Sequence, residues 1–188
     1  MKSVLISIQP KWCDMIAGCE KTIEIRKTRP KLEPPFKVYI YRTKGVVKHI
    51  INGKWENMNV GGTVIGEFVC DKILDICIEV SKTDDLPGYP FPCTGLTDVE
   101  IMQYLGIGKP GYGWHISNLR IYDEPKPLRD FNKPCPYRLP DGSRMNVPCP
   151  CDKYTWGFDE QKGLAYCLRK MNRPPQSWCY VEEVSDNA

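Results

Sequence analysis

The stretch Gly18-Cys19-Glu20-Lys21-Thr22-Ile23-Glu24-Ile25-Arg26-Lys27 reads as a helix stop followed by a strand with two unlike faces. Successive side chains of a strand alternate, so Ile23 and Ile25 point one way while Thr22, Glu24 and Arg26 point the other. A hydroxyl, a carboxylate and a guanidinium then stand in one row, with Lys21 at the strand entrance. A solvent-facing strand carries such a row as ordinary polar surface, and its ion pairs contribute a fraction of a kcal/mol. What the row is for depends on what the remaining chain brings to it.

Working outward, Val4-Leu5-Ile6-Ser7-Ile8 reads as a buried first strand. Pro10 suits the first turn of a helix, and Trp12, Met15 and Ile16 recur at helical spacing before Gly18. After the polar row, Pro30, Pro34 and Pro35 mark a loop, and Phe36 to Tyr41 alternates as a strand. Lys44 to Val60 reads as an excursion or hairpin, and Thr63 to Val80 has room for two strands. Thr97-Asp98-Val99-Glu100 is a capping-box pattern that opens a helix through Tyr104, with Gly106 placed to end it. Trp114 to Tyr122 reads as one strand, and Trp178 to Glu182 as the last. These elements predict an α+β domain. It has about five to six mostly antiparallel strands, closing into a small β-barrel with short flanking helices.

Composition narrows the class. The chain has 188 residues, 41% hydrophobic and 26% charged, with a net charge of +3. These are the values of a globular domain that tolerates an anionic partner without demanding one. No apolar run approaches the roughly 20 residues that span a bilayer. The N-terminus lacks the features of a signal peptide. A cytoplasmic location with reduced cysteines is therefore expected.

Motif order adds a resemblance. A first strand, a short helix and then Gly18-x-x-Lys21-Thr22-x-Glu24-x-Arg26 resembles the opening signature of the ASCH (activating-signal-cointegrator homology) family of the PUA-like superfamily. Val64-Ile65-Gly66-Glu67-Phe68, Gly113-Trp114-His115-Ile116, Tyr122 to Leu128 and Pro174-Pro175-Gln176-Ser177-Trp178 follow in the expected order. The resemblance covers residues 1–131 and 172–184 and looks closest to bacterial and prophage members. It implies a PUA-like β-barrel with a cleft that binds RNA or a modified nucleotide or base, lined by Lys21, Thr22, Glu24 and Arg26. There Arg26 would grip a phosphate or base edge bidentately, and Glu24 would accept from an exocyclic amine or hold Arg26. Trp12, Ser177 and Trp178 are the further ligand-contact candidates, since bases are commonly held by stacking on such rings. Core packing is the competing role for each Trp.

Some small bacterial members are amidohydrolases that deacetylate N4-acetylcytidine. They carry a lysine at the position of Lys21, a threonine at that of Glu24 and a glutamate on a later strand, best matched here by Glu67. An enzyme reading would therefore give Lys21, Glu24 and Glu67 the acid-base work. Glu24 is no hydroxyl nucleophile, however, and Thr22 lies two residues away, about 6–7 Å along a strand. Binding without catalysis is accordingly the leading expectation.

Ten cysteines are too few for a disulfide scaffold. Cys13, Cys19, Cys70, Cys77, Cys93 and Cys179 are scattered and mostly in core-like segments, where free thiols behave as small hydrophobes. Cys135, Cys149, Cys151 and Cys167 cluster in a Cys- and Pro-rich insertion over 132–171. Four thiolates there would hold one structural zinc with no open position for catalysis, or else are free thiols of a loop held by aromatic side chains. The cleft itself calls for no cofactor. The insertion would also suit a protein-interaction surface, and 185–188 is a polar tail. His115, alone beside Trp114, reads as structural or solvent-facing.

Overall fold

The apolar run Val4 to Ile8 lies at the centre of the molecule. The computed structural model describes residues 2–76, 91–133, 156–159, 164–167 and 169–182. In it the run belongs to strand β1 (Lys2–Ile8), followed by helix α1 (Pro10–Ala17), β2 (Ile23–Arg26) and β3 (Phe36–Arg42). Next come β4 (Gly45–Ile51), β5 (Lys54–Val60), β6 (Thr63–Cys70) and β7 (Ile73–Ile76). A 3-10 turn (Phe91–Thr94) leads to α2 (Asp98–Leu105), β8 (Gly111–His115) and β9 (Ser117–Pro127). The described chain closes with β10 (Asn132–Lys133), β11 (Trp156–Asp159), β12 (Leu164–Cys167), β13 (Arg169–Lys170) and β14 (Trp178–Glu182).

Seven strands form one sheet in the order β13-β10-β14-β1-β3-β6-β9, and three form a second in the order β2-β8-β7. All ladders are antiparallel except β1–β3, whose parallel pairing is made possible by the crossover through α1 and β2. Alternation along the central strands builds two cores. Val4, Ile6, Ile8, Phe36, Val38 and Ile40 face α1 and Trp114. Leu5, Tyr39 and Tyr41 face Phe131, Met171 and Val181 on the other side. With both faces covered, β1 needs the near-continuous apolar run that it has. A third cluster joins Ile23 and Ile25 of β2 to Ile76, Ile101 and Leu105, so α2 packs on the outer face of the small sheet.

The expected barrel is corrected here: the large sheet is not closed. Among the described residues its edges, β9 and β13, pair with nothing beyond β6 and β10. Pro125 and Pro127 in the last part of β9 remove two N–H donors that closure would need. The single strand expected over Trp114 to Tyr122 is two strands in different sheets. Ile116 lies between them, its N–H donating to the Thr22 carbonyl at 2.8 Å, and Asn118 follows with a φ of 48°. There the chain leaves one sheet and enters the other.

Both helices lie where their end signals put them. Gly18 caps α1, although the left-handed residue is the next one, Cys19, at φ 58°. Thr97 and Glu100 form the reciprocal capping box of α2, and Gly106 ends it at φ 100°. The expected hairpin is β4–β5, turned by Asn52 and Gly53, both in the left-handed region. Within the span read from sequence as an insertion, 132–171, Asn132 and Lys133 pair with β13 and Asn132 with β14.

Of the scattered cysteines, Cys13 and Cys70 are buried, and burial pushes both thiols up to about 12. Cys179 is half-buried, while Cys19 and Cys93 are exposed. Cys77, Cys135, Cys149 and Cys151 lie outside the described residues, as does most of the insertion. No helix among the described residues is long and apolar enough to cross a membrane.

The capping box yields a direct test. Thr97→Ala should lower stability by about 1 kcal/mol in urea unfolding. Val99→Ala, on the exposed face of the same helix, should stay within about 0.5 kcal/mol of the unsubstituted protein.

Candidate functional site

The polar row of β2 is not surface. Each of Ile23, Glu24, Ile25 and Arg26 is buried, and Lys21 at the entrance is 2% exposed. The antiparallel register sets Glu24 opposite Trp114 and Arg26 opposite Tyr112, and directly opposed residues share a face. Ile23 and Ile25 therefore turn to α2, while Glu24 and Arg26 turn inward, to the layer between the two sheets.

There the row forms an ion triad. Lys21 Nζ lies 3.3 Å from Glu24 Oε2, and Arg26 Nη2 lies 2.9 Å from Glu24 Oε1. Lys21 Nζ also donates to the carbonyls of Ile23 at 2.8 Å and Thr94 at 2.6 Å. Three acceptors match the three protons of an ammonium. Burial lowers the Lys21 pKa from its ordinary value, and the Glu24 carboxylate pulls it back up. Lys21 is thus a fully engaged anchor, with the Trp12 ring centroid 5.4 Å away.

Arg26 is engaged more loosely. Its Nη2 donates to the Ser7 carbonyl at 2.7 Å, and Nη1 reaches the Ser177 hydroxyl at 3.5 Å, the outer limit of a hydrogen bond. Its Nε–H is buried and has no acceptor among the described residues, and neither has the indole N–H of Trp114 on the same face of the small sheet. A buried donor left without a partner costs about 1–3 kcal/mol. Two of them lie in one layer, where Lys21 and Arg26 share the single Glu24 carboxylate.

The segment before β14 is tied to the same spot. Ser7 N–H donates to the Ser177 carbonyl at 2.8 Å, and the Ser7 hydroxyl donates to the Pro175 carbonyl at 2.6 Å. Trp178 packs at 5.9 Å on Trp114 and 5.5 Å on Tyr180, and its indole donates to the Thr28 hydroxyl at 3.0 Å. Trp12, Thr22, Ser177 and Trp178 are all half-buried. The structure thus gathers Trp12, Lys21, Glu24, Arg26, Ser177 and Trp178, with Thr22 adjoining Lys21 in the chain.

Glu67 is not among them. In β6 it pairs with Tyr39, on the other face of the large sheet, where it accepts from the Tyr122 hydroxyl at 2.6 Å and lies 3.5 Å from Lys37. Motif order could place Glu67 on a later strand but not on a face, because β6 carries bulges that reset its alternation. Ser7, Thr94 and Trp114 are site residues that sequence reasoning missed. Ser7 and Thr94 act through backbone carbonyls, which leave no side-chain signature, although a serine inside the apolar run of β1 is a faint one. His115 is placed by Asp71, whose carboxylate lies 2.7 Å from the imidazole and is held below its ordinary pKa by that contact. Among the described residues no group of three or more potential ligand side chains is gathered for a metal. Of the four clustered cysteines only Cys167 falls in a described strand, opposite Trp156 in β12.

No family model matches the chain, and no curated protein matches it. Among solved structures the chain is similar to ASCH from Zymomonas mobilis, at 17% identity and a TM-score of 0.49, over 67% of this chain and 73% of that one. It is similar at the same TM-score to a tyrosine-to-phenylalanine variant of that protein, at 16% identity over 68% of this chain and 77% of that one. A serine-to-alanine variant matches at 17%, over 67% and 74%. These are likenesses of backbone alone.

The triad makes an ordered prediction about stability. Glu24→Ala leaves two buried cations uncompensated and should cost about 3–5 kcal/mol in urea unfolding. Lys21→Met leaves Glu24 paired with Arg26 and should cost clearly less. An equal or reversed order would mean that Glu24 does not neutralise the pair.

Proposed function

We propose that this chain is an ASCH-type binding domain that recognises RNA, or a single modified nucleotide or base, at the layer between its two sheets. The observation that carries this reading is the buried Lys21–Glu24–Arg26 triad, with more positive than negative charge and unspent N–H donors on Arg26 and Trp114. A phosphate or a base edge supplies the acceptors, and a guanidinium with a vacant edge suits either. The half-buried Trp12 and Trp178 supply the aromatic surface on which a base would rest. Lys21 and Glu24 would act by holding Arg26 in position, since Lys21 has no proton left to offer.

The amidohydrolase alternative has weaker support. Glu67 is separated from Lys21 by the large sheet, and Glu24 stands where the resemblance implies a threonine nucleophile. The structural zinc remains a proposal that rests on cysteine spacing, and metal analysis of Cys149→Ser/Cys151→Ser against the unsubstituted protein addresses it directly.

The test is a thermal-shift screen with nucleosides, modified nucleosides, nucleotides and short single-stranded RNA. A ligand that binds only the folded state should raise stability by about 2.7 kcal/mol at a hundred times its Kd. Arg26→Lys keeps the charge but removes the planar fork, and should abolish the shift while the protein still unfolds cooperatively. If no compound or RNA shifts the transition, the reading fails. Release of acetate from N4-acetylcytidine, lost in Lys21→Ala, would replace it with the enzyme reading.

A further inference from the structure

The face of the large sheet opposite the triad carries a groove that the function above does not use. It encloses about 500 Å³ and is lined by Lys37, Glu67, Arg120, Tyr122, Asp123 and Lys126, among others. Its origin lies in the β6–β9 ladder. Gly66 pairs with Ile121 and Val64 with Lys126, so Ile65 alone faces the four residues from Tyr122 to Pro125. Such a bulge re-aims side chains, and bulges are common beside functional sites. Gly66 permits it, because a Cβ there would meet the Arg120 carbonyl at 2.5 Å.

The bulge sets Tyr122 against Glu67, and Lys37 closes on the same carboxylate, so this acid is already paired. The Arg120 guanidinium and the Lys126 ammonium lie 6.0 and 5.2 Å from the centroid of the same Tyr122 ring. Neither makes a side-chain ion pair among the described residues, although Asp123 and Glu124 stand in the same wall. Arg120 and Lys126 thus stand beside one ring without an ion-pair partner among the described residues, in a groove whose lining also holds Glu67, Asp123 and Glu124.

We propose that this groove is a phosphate-binding site, formed by Arg120 and Lys126 over Tyr122 with Lys37 at its inner end. The phosphate is that of a polynucleotide backbone or of a free phosphate compound. The site is separate from the triad, so the proposal does not depend on the reading given for the triad.

The experiment is a backbone amide NMR titration of the full chain at low salt, with inorganic phosphate in one arm and a 12-nucleotide poly(U) RNA in the other. Phosphate should shift the amides of Lys37, Glu67 and Arg120 to Lys126, and Arg120→Gln/Lys126→Gln should remove those shifts. If the backbone of RNA is the source, the oligonucleotide moves the same amides. In that case the double variant should weaken its binding about tenfold and reduce the slope of log K on log salt by about one. Shifts with phosphate alone assign the site to small anions. Shifts at these amides with neither titrant, or shifts undiminished in the double variant, overturn the proposal. Both residues are exposed, and Lys126→Gln alone gives a second variant should the double one fail to fold. An unphosphorylated nucleoside probes the triad alone, so failure there leaves this result standing, and the converse also holds.

Discussion

Three charges between two sheets set the terms for the rest of this molecule. Removing an ion from water costs several kcal/mol even after relaxation, so a buried triad persists only when almost every charged atom has a partner. Glu24 answers both cations, and backbone carbonyls of Ile23, Thr94 and Ser7 take further donors of Lys21 and Arg26. Those carbonyls come from β2, from the turn ahead of α2 and from the end of β1. The triad therefore requires that three distant pieces of chain arrive together. In return it fixes the register of the small sheet against the large one, because a one-residue slip of β2 would put Ile23 and Ile25 among the ions and Glu24 against α2.

The same constraint explains why Arg26 stands out. Lys21 is satisfied on all sides, whereas the guanidinium next to it has more donors than its surroundings have acceptors. A fold selected for stability alone could fill that layer with apolar side chains at little cost, since well-packed hydrophobes commonly match or exceed a buried ion pair. In the function proposed above, the unused N–H of that guanidinium is what a ligand's acceptor would meet.

Much of the architecture was legible because local chemistry and tertiary structure agree. The Thr97–Glu100 box, Pro10 at the start of α1 and the Ile–Glu–Ile–Arg alternation of β2 each mean in the structure what they mean in isolation. Local signals could not tell a polar face turned to water from one turned inward against a second sheet, since alternation gives sides and not surroundings. The barrel expectation failed for a related reason. Trp114 to Tyr122 has unbroken strand character, and nothing in it announces that Ile116 and Asn118 carry the chain from one sheet to another. Glu67 was assigned to the wrong company because bulges defeat the period of two. Contacts made by carbonyls, such as those of Ser7 and Thr94, have no residue type to betray them.

The position of β1, parallel to β3 on one side and antiparallel to β14 on the other, bears on how the molecule is made. During synthesis β1, α1, β2 and β3 leave the ribosome early, yet the strand that completes β1 is some 170 residues downstream. Until Trp178–Glu182 emerges, the central strand β1 keeps one row of amides and carbonyls unpaired, and Arg26 lacks its contact with Ser177. An open apolar edge of that kind is a template for pairing between nascent chains. Closure across so long a separation also makes folding slow compared with domains built from local contacts. The nascent chain is thus most exposed to self-association, and most in need of chaperone cover, in the interval before β14 appears.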